Sequence, residues 1–323
     1  MTHALPIPGP EGLPLAGGPV RFAKARLLRR GRPPETVSAE SLPDALLARL
    51  TAPRPPFAGL PHDRTRIMGI LNVTPDSFSD GGRHFAPEAA ARAAAAMEAA
   101  DLVDVGAEST RPGAAPVEAD EEWRRLAPVL EMLGGRRVSV DTRRAETARR
   151  AIGAGAAVVN DVSGGTFDPH MLRTVADSDA ALCLMHGPFD PAVMQDAPRY
   201  DDVVLDVYDF LEARLGAARA AGIPDGRLMA DPGIGFGKTE PHNLALLRAL
   251  PLFHGLGVPI LLGVSRKGFI GRVGAAPQSD RRMPGTLALT LDAVRKGVQW
   301  HRIHDVPEIA QGLALWRAVQ EED

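Results

Sequence analysis

The sequence predicts an α/β protein, a (β/α)8 barrel with a Pro-rich N-terminal extension, on three observations. From Arg66 onward, short apolar runs alternate with amphipathic or alanine-rich segments, the rhythm of βα units. Eight such runs fit into about 250 residues, the usual size of an eight-unit barrel. Polar residues recur where each run ends, as expected of a barrel whose site gathers at the C-terminal ends of its strands. An open doubly wound sheet is the competing arrangement.

In chain order, residues 1–61 hold 12 of the 29 prolines, among them Pro6, Pro8, Pro10, Pro33, Pro34, Pro55 and Pro56. Such a segment reads as an appended arm, or as a mostly disordered leader, because its apolar content looks too small to close a core of its own. The barrel is then expected over 62–323. Its strands are "RIMGILNV" (66–73), "LVDVGA" (102–107), "RVSVD" (137–141), "AAVVND" (156–161), "AALCLMH" (180–186), "RLMAD" (227–231), "VPILLGVS" (258–265) and "VQWHRIHD" (298–305). Near-continuous apolar strands of this kind belong in a parallel sheet covered on its outer face. Two of the helices between them are "PEAAARAAAAMEAA", with Pro87 tolerated in its first turn, and "YDDVVLDVYDFLEARLGAARAAG", amphipathic to Gly222.

Composition narrows the function classes. A formal charge of -3 gives no basic field of the kind nucleic-acid binding relies on, which leaves small molecules as the expected partners. The single cysteine, Cys183, excludes an internal disulfide and a cysteine-cluster metal site and suits a reducing cytoplasm. No apolar run approaches the ~20 residues of a membrane helix. The stretch "DPGIGFGKT" looks like a phosphate loop, but Pro232 stands where that pattern needs its first glycine, and GxGxG is not the dinucleotide spacing either.

The polar residues at the strand ends suit the binding of a polar heterocycle. Asp141 and Asp231 can accept paired N–H donors, an Asn amide can answer both a donor and an acceptor, and Lys267 can polarise a ring carbonyl or nitrogen. Arg302 can stack on a ring while donating outward. Arg111, Arg302 and His304 are cations suited to a phosphate or pyrophosphate, and Asn72 offers an oxygen to a hard cation such as Mg²⁺. Taken singly, each has an ordinary explanation: Asp141 and Asp231 as helix caps, Lys267 and Arg266 as a solvated charge pair, Arg302 and His304 as partners of nearby acids, Cys183 as a small core residue. The combination at eight successive strand ends outweighs these.

The motifs "MGILNVTPDSFSDGG", "DVGAESTRPGA", "VSVDT", "VVNDVSGG", "DPGIGFGKT", "GVSRKGFIG" and "RIHDV" resemble, in order and spacing, those of the dihydropteroate synthase family, from about Arg66 to the C-terminus. The resemblance implies a homodimeric barrel enzyme, a sulfonamide target. It would join 6-hydroxymethyl-7,8-dihydropterin pyrophosphate to 4-aminobenzoate, with Mg²⁺, releasing dihydropteroate and pyrophosphate in folate synthesis. By the same resemblance Asn72 would coordinate Mg²⁺, and Asp141, Asn160, Asp231 and Lys267 would contact the pterin with Met185 packed beside them. Arg302 and His304 would form the stacking and pyrophosphate pair, and Phe236 and Pro112 the wall around aminobenzoate. Thr110 and Arg111 would lie on the second mobile loop. The first would be 74–82, where Asp76 can stabilise the cation left when pyrophosphate departs. Departures are Gly268, where the family often has serine near the aminobenzoate carboxylate, Ala107 in place of a common glycine, and the loop "MHGPFDP". A pterin-binding methyltransferase barrel and a non-catalytic pterin-binding barrel remain alternatives.

Overall fold

The computed structural model describes residues 2–73, 95–108, 117–187 and 198–320. The N-terminal segment departs from the expected arm. Strands β1 (His3–Gly9), β2 (Leu13–Pro14), β3 (Arg21–Arg29) and β4 (Arg32–Ser38) form an antiparallel sheet, β3 pairing with the other three. Helix α1 (Asp44–Thr51) follows. The prolines misled because Pro6, Pro8, Pro33 and Pro34 lie in β1 and β4, each paired on one side only, and the register shifts beside Pro8 and leaves Pro33 and Pro34 out of the ladder. The unit also has a core of its own, with Ala4, Leu15, Phe22, Ala25, Ala39, Leu42 and Leu50 all buried together.

This unit is seated on the barrel. Leu5 and Leu28 pack against the barrel's largest apolar cluster. Arg30 pairs with Asp206 at 2.5 Å and Asp209 at 2.6 Å, and Arg49 with Glu212 at 3.0 Å. Buried Arg54 donates to the carbonyls of Arg49, Ala52 and His254, meeting the negative end of α1 with a cation. Phe57 then enters the barrel floor, its ring edge-on to Trp300 at 5.7 Å, among Met68, Leu102, Cys183 and Met229.

Eight parallel strands make the barrel: β5 (Arg66–Asn72), β6 (Leu102–Gly106), β7 (Val138–Asp141), β8 (Val158–Asp161), β9 (Ala181–Met185), β10 (Leu228–Asp231), β11 (Leu261–Leu262) and β12 (Trp300–Ile303). They run in the order β10-β9-β8-β7-β6-β5-β12-β11, and a parallel bridge from Ala230 to Ile260 joins the two ends. The barrel, and not the open sheet, is the architecture. Helices cover the outside: α2 (Ala119–Met132), α3 (Ala145–Gly153), α4 (Met171–Ala176), α5 (Val203–Ala220), α6 (Glu240–Arg248), α7 (Gly268–Val273), α8 (Met283–Val294) and α9 (Val306–Gln320). The helix expected over 87–100 lies largely outside the described residues.

Register decides which side chains share the lumen, because paired neighbours in a sheet point to the same face. Asn72 pairs with Gly106, Gly106 with Asp141, Asp141 with Asn160, and Asp231 with Met185. Two residues before Gly106, Asp104 pairs with Ser139 and so shares that face. Below this polar layer, Cys183 and its apolar neighbours fill the floor, and the Cys183 thiol is pushed well up by burial.

Candidate active site

Side chains from the middle of β6 and the end of β7 converge on one guanidinium from β12. Arg302 donates from Nε to Asp104 Oδ2 at 2.6 Å and from Nη2 to Asp141 Oδ2 at 2.7 Å. From β8, Asn160 Nδ2 donates to the same Asp104 oxygen at 3.1 Å. Two carboxylates this deeply buried need a shared counter-charge, and Arg302 supplies it. Burial pushes the Asp141 carboxyl above its usual range; Arg302 opposes this and Asp104 adds to it. Burial works against the Arg302 charge, but the two acids outweigh it and hold the guanidinium protonated. Asp104 was not among the expected site residues, although it is the charged residue inside an otherwise apolar strand. Its Oδ1 has no hydrogen-bond partner among the described residues, which leaves a buried acceptor unused beside Arg302.

After β10 the chain turns through "DPGIGFGKT". Gly233, Gly235 and Gly237 have φ of 68°, 83° and 57°, and a Cβ on Gly233 would lie 1.9 Å from the His186 oxygen. Only glycine fits there. Asp231 Oδ1 accepts from Gly233 N at 2.7 Å, Gly235 N donates to Asn243 Oδ1 at 2.7 Å, and Tyr200 OH donates to Gly237 O at 2.8 Å. The turn lays the Phe236 ring 3.9 Å from Lys267 Nζ, a cation–π contact. Burial raises Asp231 to about 6, with the Gly233 N–H and Lys267 opposing. Burial lowers Lys267 to about 8, aided by Arg302 and opposed by Asp231 and Asp141. Thr239, which helped suggest a phosphate loop, caps α6 through its hydroxyl.

The mouth is completed from three sides. His304 sits against Ser265, whose Oγ accepts from His304 N at 3.1 Å and lies 3.0 Å from its Nδ1. Burial, then Arg302 and Arg266, pull His304 down to about 3, so it is a neutral ring and not the cation expected from sequence. Arg266, read as half of a solvated charge pair with Lys267, instead ion-pairs with Asp305. Met185 is buried under the turn, where a Cβ on Gly233 would lie 3.2 Å from its Cγ. Glu108 and Val117, which flank residues 109–116, are joined by a hydrogen bond of 3.1 Å. Arg144 and Arg143 grip the same carboxylate at 2.7 and 3.2 Å. Burial favours its protonation, but Arg144, the Val117 N–H and Arg143 hold it below the usual carboxylate range. Asp76, Thr110, Arg111 and Pro112, with the loop 74–82, lie outside the described residues.

Among the described residues no cluster of three or more His, Cys, Asp or Glu side chains is arranged to hold a metal. Asn72 does present an amide oxygen toward the mouth: a Cβ on Gly106 would meet Asn72 Oδ1 at 3.7 Å and Asp141 Cβ at 3.4 Å, so glycine leaves these two side by side. Mg²⁺ that arrives with a pyrophosphate needs few protein oxygens, and this donor set fits that mode.

Residues 68–304 match the family model described as pterin binding enzyme. A dihydropteroate synthase of Mycobacterium leprae is 47% identical over 260 residues, covering 77% of this chain and 92% of its own length. That of Synechocystis is 43% identical over 263 residues, covering 79% of this chain and 91% of its own. The solved structure of Xanthomonas albilineans dihydropteroate synthase with 4-aminobenzoic acid superposes with a TM-score of 0.77 at 46% identity, covering 82% of this chain and 97% of that one. The chain belongs to the dihydropteroate synthase family of pterin-binding enzymes.

Proposed function

We propose that this chain condenses 6-hydroxymethyl-7,8-dihydropterin pyrophosphate with 4-aminobenzoate, giving 7,8-dihydropteroate and pyrophosphate for folate synthesis. The observation that carries the assignment of roles is the convergence of Asp104, Asp141, Asn160, Asp231, Lys267 and Arg302 on one barrel mouth. In this reading Asp231 and Asn160 answer the pterin's N–H donors, Lys267 donates to a ring acceptor, and Met185 packs against the ring. Arg302, its Nε and Nη2 held by the two acids, presents a fixed guanidinium plane for stacking. His304 donates to the pyrophosphate as a neutral imidazole. By the family resemblance Thr110 and Arg111 would add to that anion site, Asp76 would stabilise the developing cation, and Pro112 would join Phe236 around the arylamine. The carbon–oxygen bond to pyrophosphate breaks with its electrons leaving on the anion; the arylamine lone pair forms the carbon–nitrogen bond, and its proton is lost to solvent. Asn72 would hold Mg²⁺, which when bound neutralises charge on the leaving group.

Incubation with the pterin pyrophosphate, 4-aminobenzoate and Mg²⁺ should yield dihydropteroate. Tight pterin binding without product would support a non-catalytic barrel instead. A finer test concerns Gly268. A Cβ there would meet nothing nearer than Arg272 Nη1 at 3.5 Å, and the residue opens α7. Gly268→Ser should therefore fold normally. One hydroxyl beside the arylamine carboxylate should lower the aminobenzoate KM by roughly three- to tenfold, the effect of ~1 kcal/mol from a single hydrogen bond.

We also infer a homodimer and a cytoplasmic location. Leu315 and Val319, four residues apart on α9, are 68% and 73% exposed, which supports burial against a second copy. Sedimentation should then give about twice the 34.3 kDa chain mass, and Leu315→Glu should shift it toward the monomer. Buried, unpaired Cys183 suits a reducing compartment, and among the described residues no helix is long and apolar enough to cross a membrane.

A further inference from the structure

Lys238, in the turn after β10, is only 3% exposed. Its Nζ lies 2.9 Å from His186 Nδ1, 3.0 Å from Phe236 O and 3.3 Å from His186 O. Three acceptors thus surround one buried amine, which burial lowers to about 7, with Asp231 opposing and Lys267 adding to the shift. The bond to His186 Nδ1 requires the neutral ring, and burial, reinforced by Lys238, does lower His186 to about 3. His186 directly follows β9 and Met185, so one amine ties the end of that strand to the glycine turn after β10.

We propose that Lys238 is a positioning residue for the arylamine: by fixing the Phe236 backbone it holds the Phe236 ring on Lys267 and so shapes the aminobenzoate wall. The lysine does not touch substrate. It acts through Phe236, whose ring is 3.9 Å from Lys267 Nζ, and the inference rests on the reading of Phe236 as that wall.

The test is a double-mutant cycle of Lys238→Met and Phe236→Ala, read as separate KM values for aminobenzoate and for the pterin pyrophosphate. Phe236→Ala alone must raise the aminobenzoate KM; if it does not, the wall assignment fails. Lys238→Met should raise that KM about tenfold, the loss of one well-placed hydrogen bond, while the pterin KM changes by less than about twofold. In the Phe236→Ala background the same substitution should add less than about twofold, because both act through one ring. Equal rises in the two KM values, or an undiminished effect in that background, would overturn the proposal. Should Lys238→Met not fold, His186→Leu removes the ring acceptor, keeps the backbone one and leaves an apolar side chain against Phe210, and should give a smaller shift in the same direction; no shift in the aminobenzoate KM would count equally against it.

Discussion

Arg302→Met is expected to cost the protein twice, in stability and in turnover. The guanidinium is the shared partner of Asp104 and Asp141, and removing it leaves two buried carboxyls facing each other. Stripping one member from such a group destabilises by about 3–5 kcal/mol. Some of that returns if the remaining carboxyls take up a proton, so the deficit should be smaller at pH 5 than at pH 8. Thermal unfolding of the two proteins at both pH values measures this directly. The double variant Arg302→Met with Asp104→Asn should recover part of the stability by removing one orphaned charge. It should recover none of the activity, because kcat/KM for the pterin pyrophosphate depends on the cation itself and should stay roughly 10²–10³-fold down. Restoration of turnover in the double variant would mean that Arg302 only balances charge.

That cluster also marks where sequence reasoning stopped. The eight strands were legible because each is a near-continuous apolar run, and Asn72, Asp141, Asn160 and Asp231 because they stand at strand ends; Lys267 lies beyond β11, at the start of α7. Asp104 stands inside a strand, and only the register that pairs it with Ser139 shows that it faces the lumen. The charge state of His304 was likewise hidden, since it depends first on burial in the folded mouth, then on Arg302 two residues back and on Arg266 from the preceding unit. The N-terminal sheet was misjudged for a different reason. Proline counts measure what a central strand cannot tolerate, whereas here the prolines occupy strands paired on one side, and the small core is supplemented by seating on the barrel. Lys238 was legible as a residue but not as a contact, because its partners come from a strand end more than fifty positions earlier and from a turn whose shape the three glycines set.

Asp231→Asn isolates the pterin contact from the fold. One carboxylate oxygen, Oδ1, is already occupied by the Gly233 N–H, a role that an amide oxygen fills equally well. The other becomes an NH2 group, which turns a donor toward ring N–H groups that also donate. Stability should therefore change by no more than about 1 kcal/mol, while kcat/KM for the pterin pyrophosphate falls roughly 10²-fold, the loss of a charged hydrogen bond with its partner left unpaired. The pH profile separates this from a general defect. Burial places Asp231 at about 6, above the ordinary carboxylate value, so in the free protein it is neutral below that pH and ionised above it. Since the ionised form is the acceptor, wild-type kcat/KM should fall as pH drops through about 6. Lys267, lowered to about 8, loses its charge as pH rises, which should bring the profile down again above that value. Asp231→Asn should lose the acid limb and keep the alkaline one, whereas Lys267→Met should do the reverse. If both limbs persist in both variants, neither group is the one whose proton controls pterin binding, and the pocket lies elsewhere in the mouth.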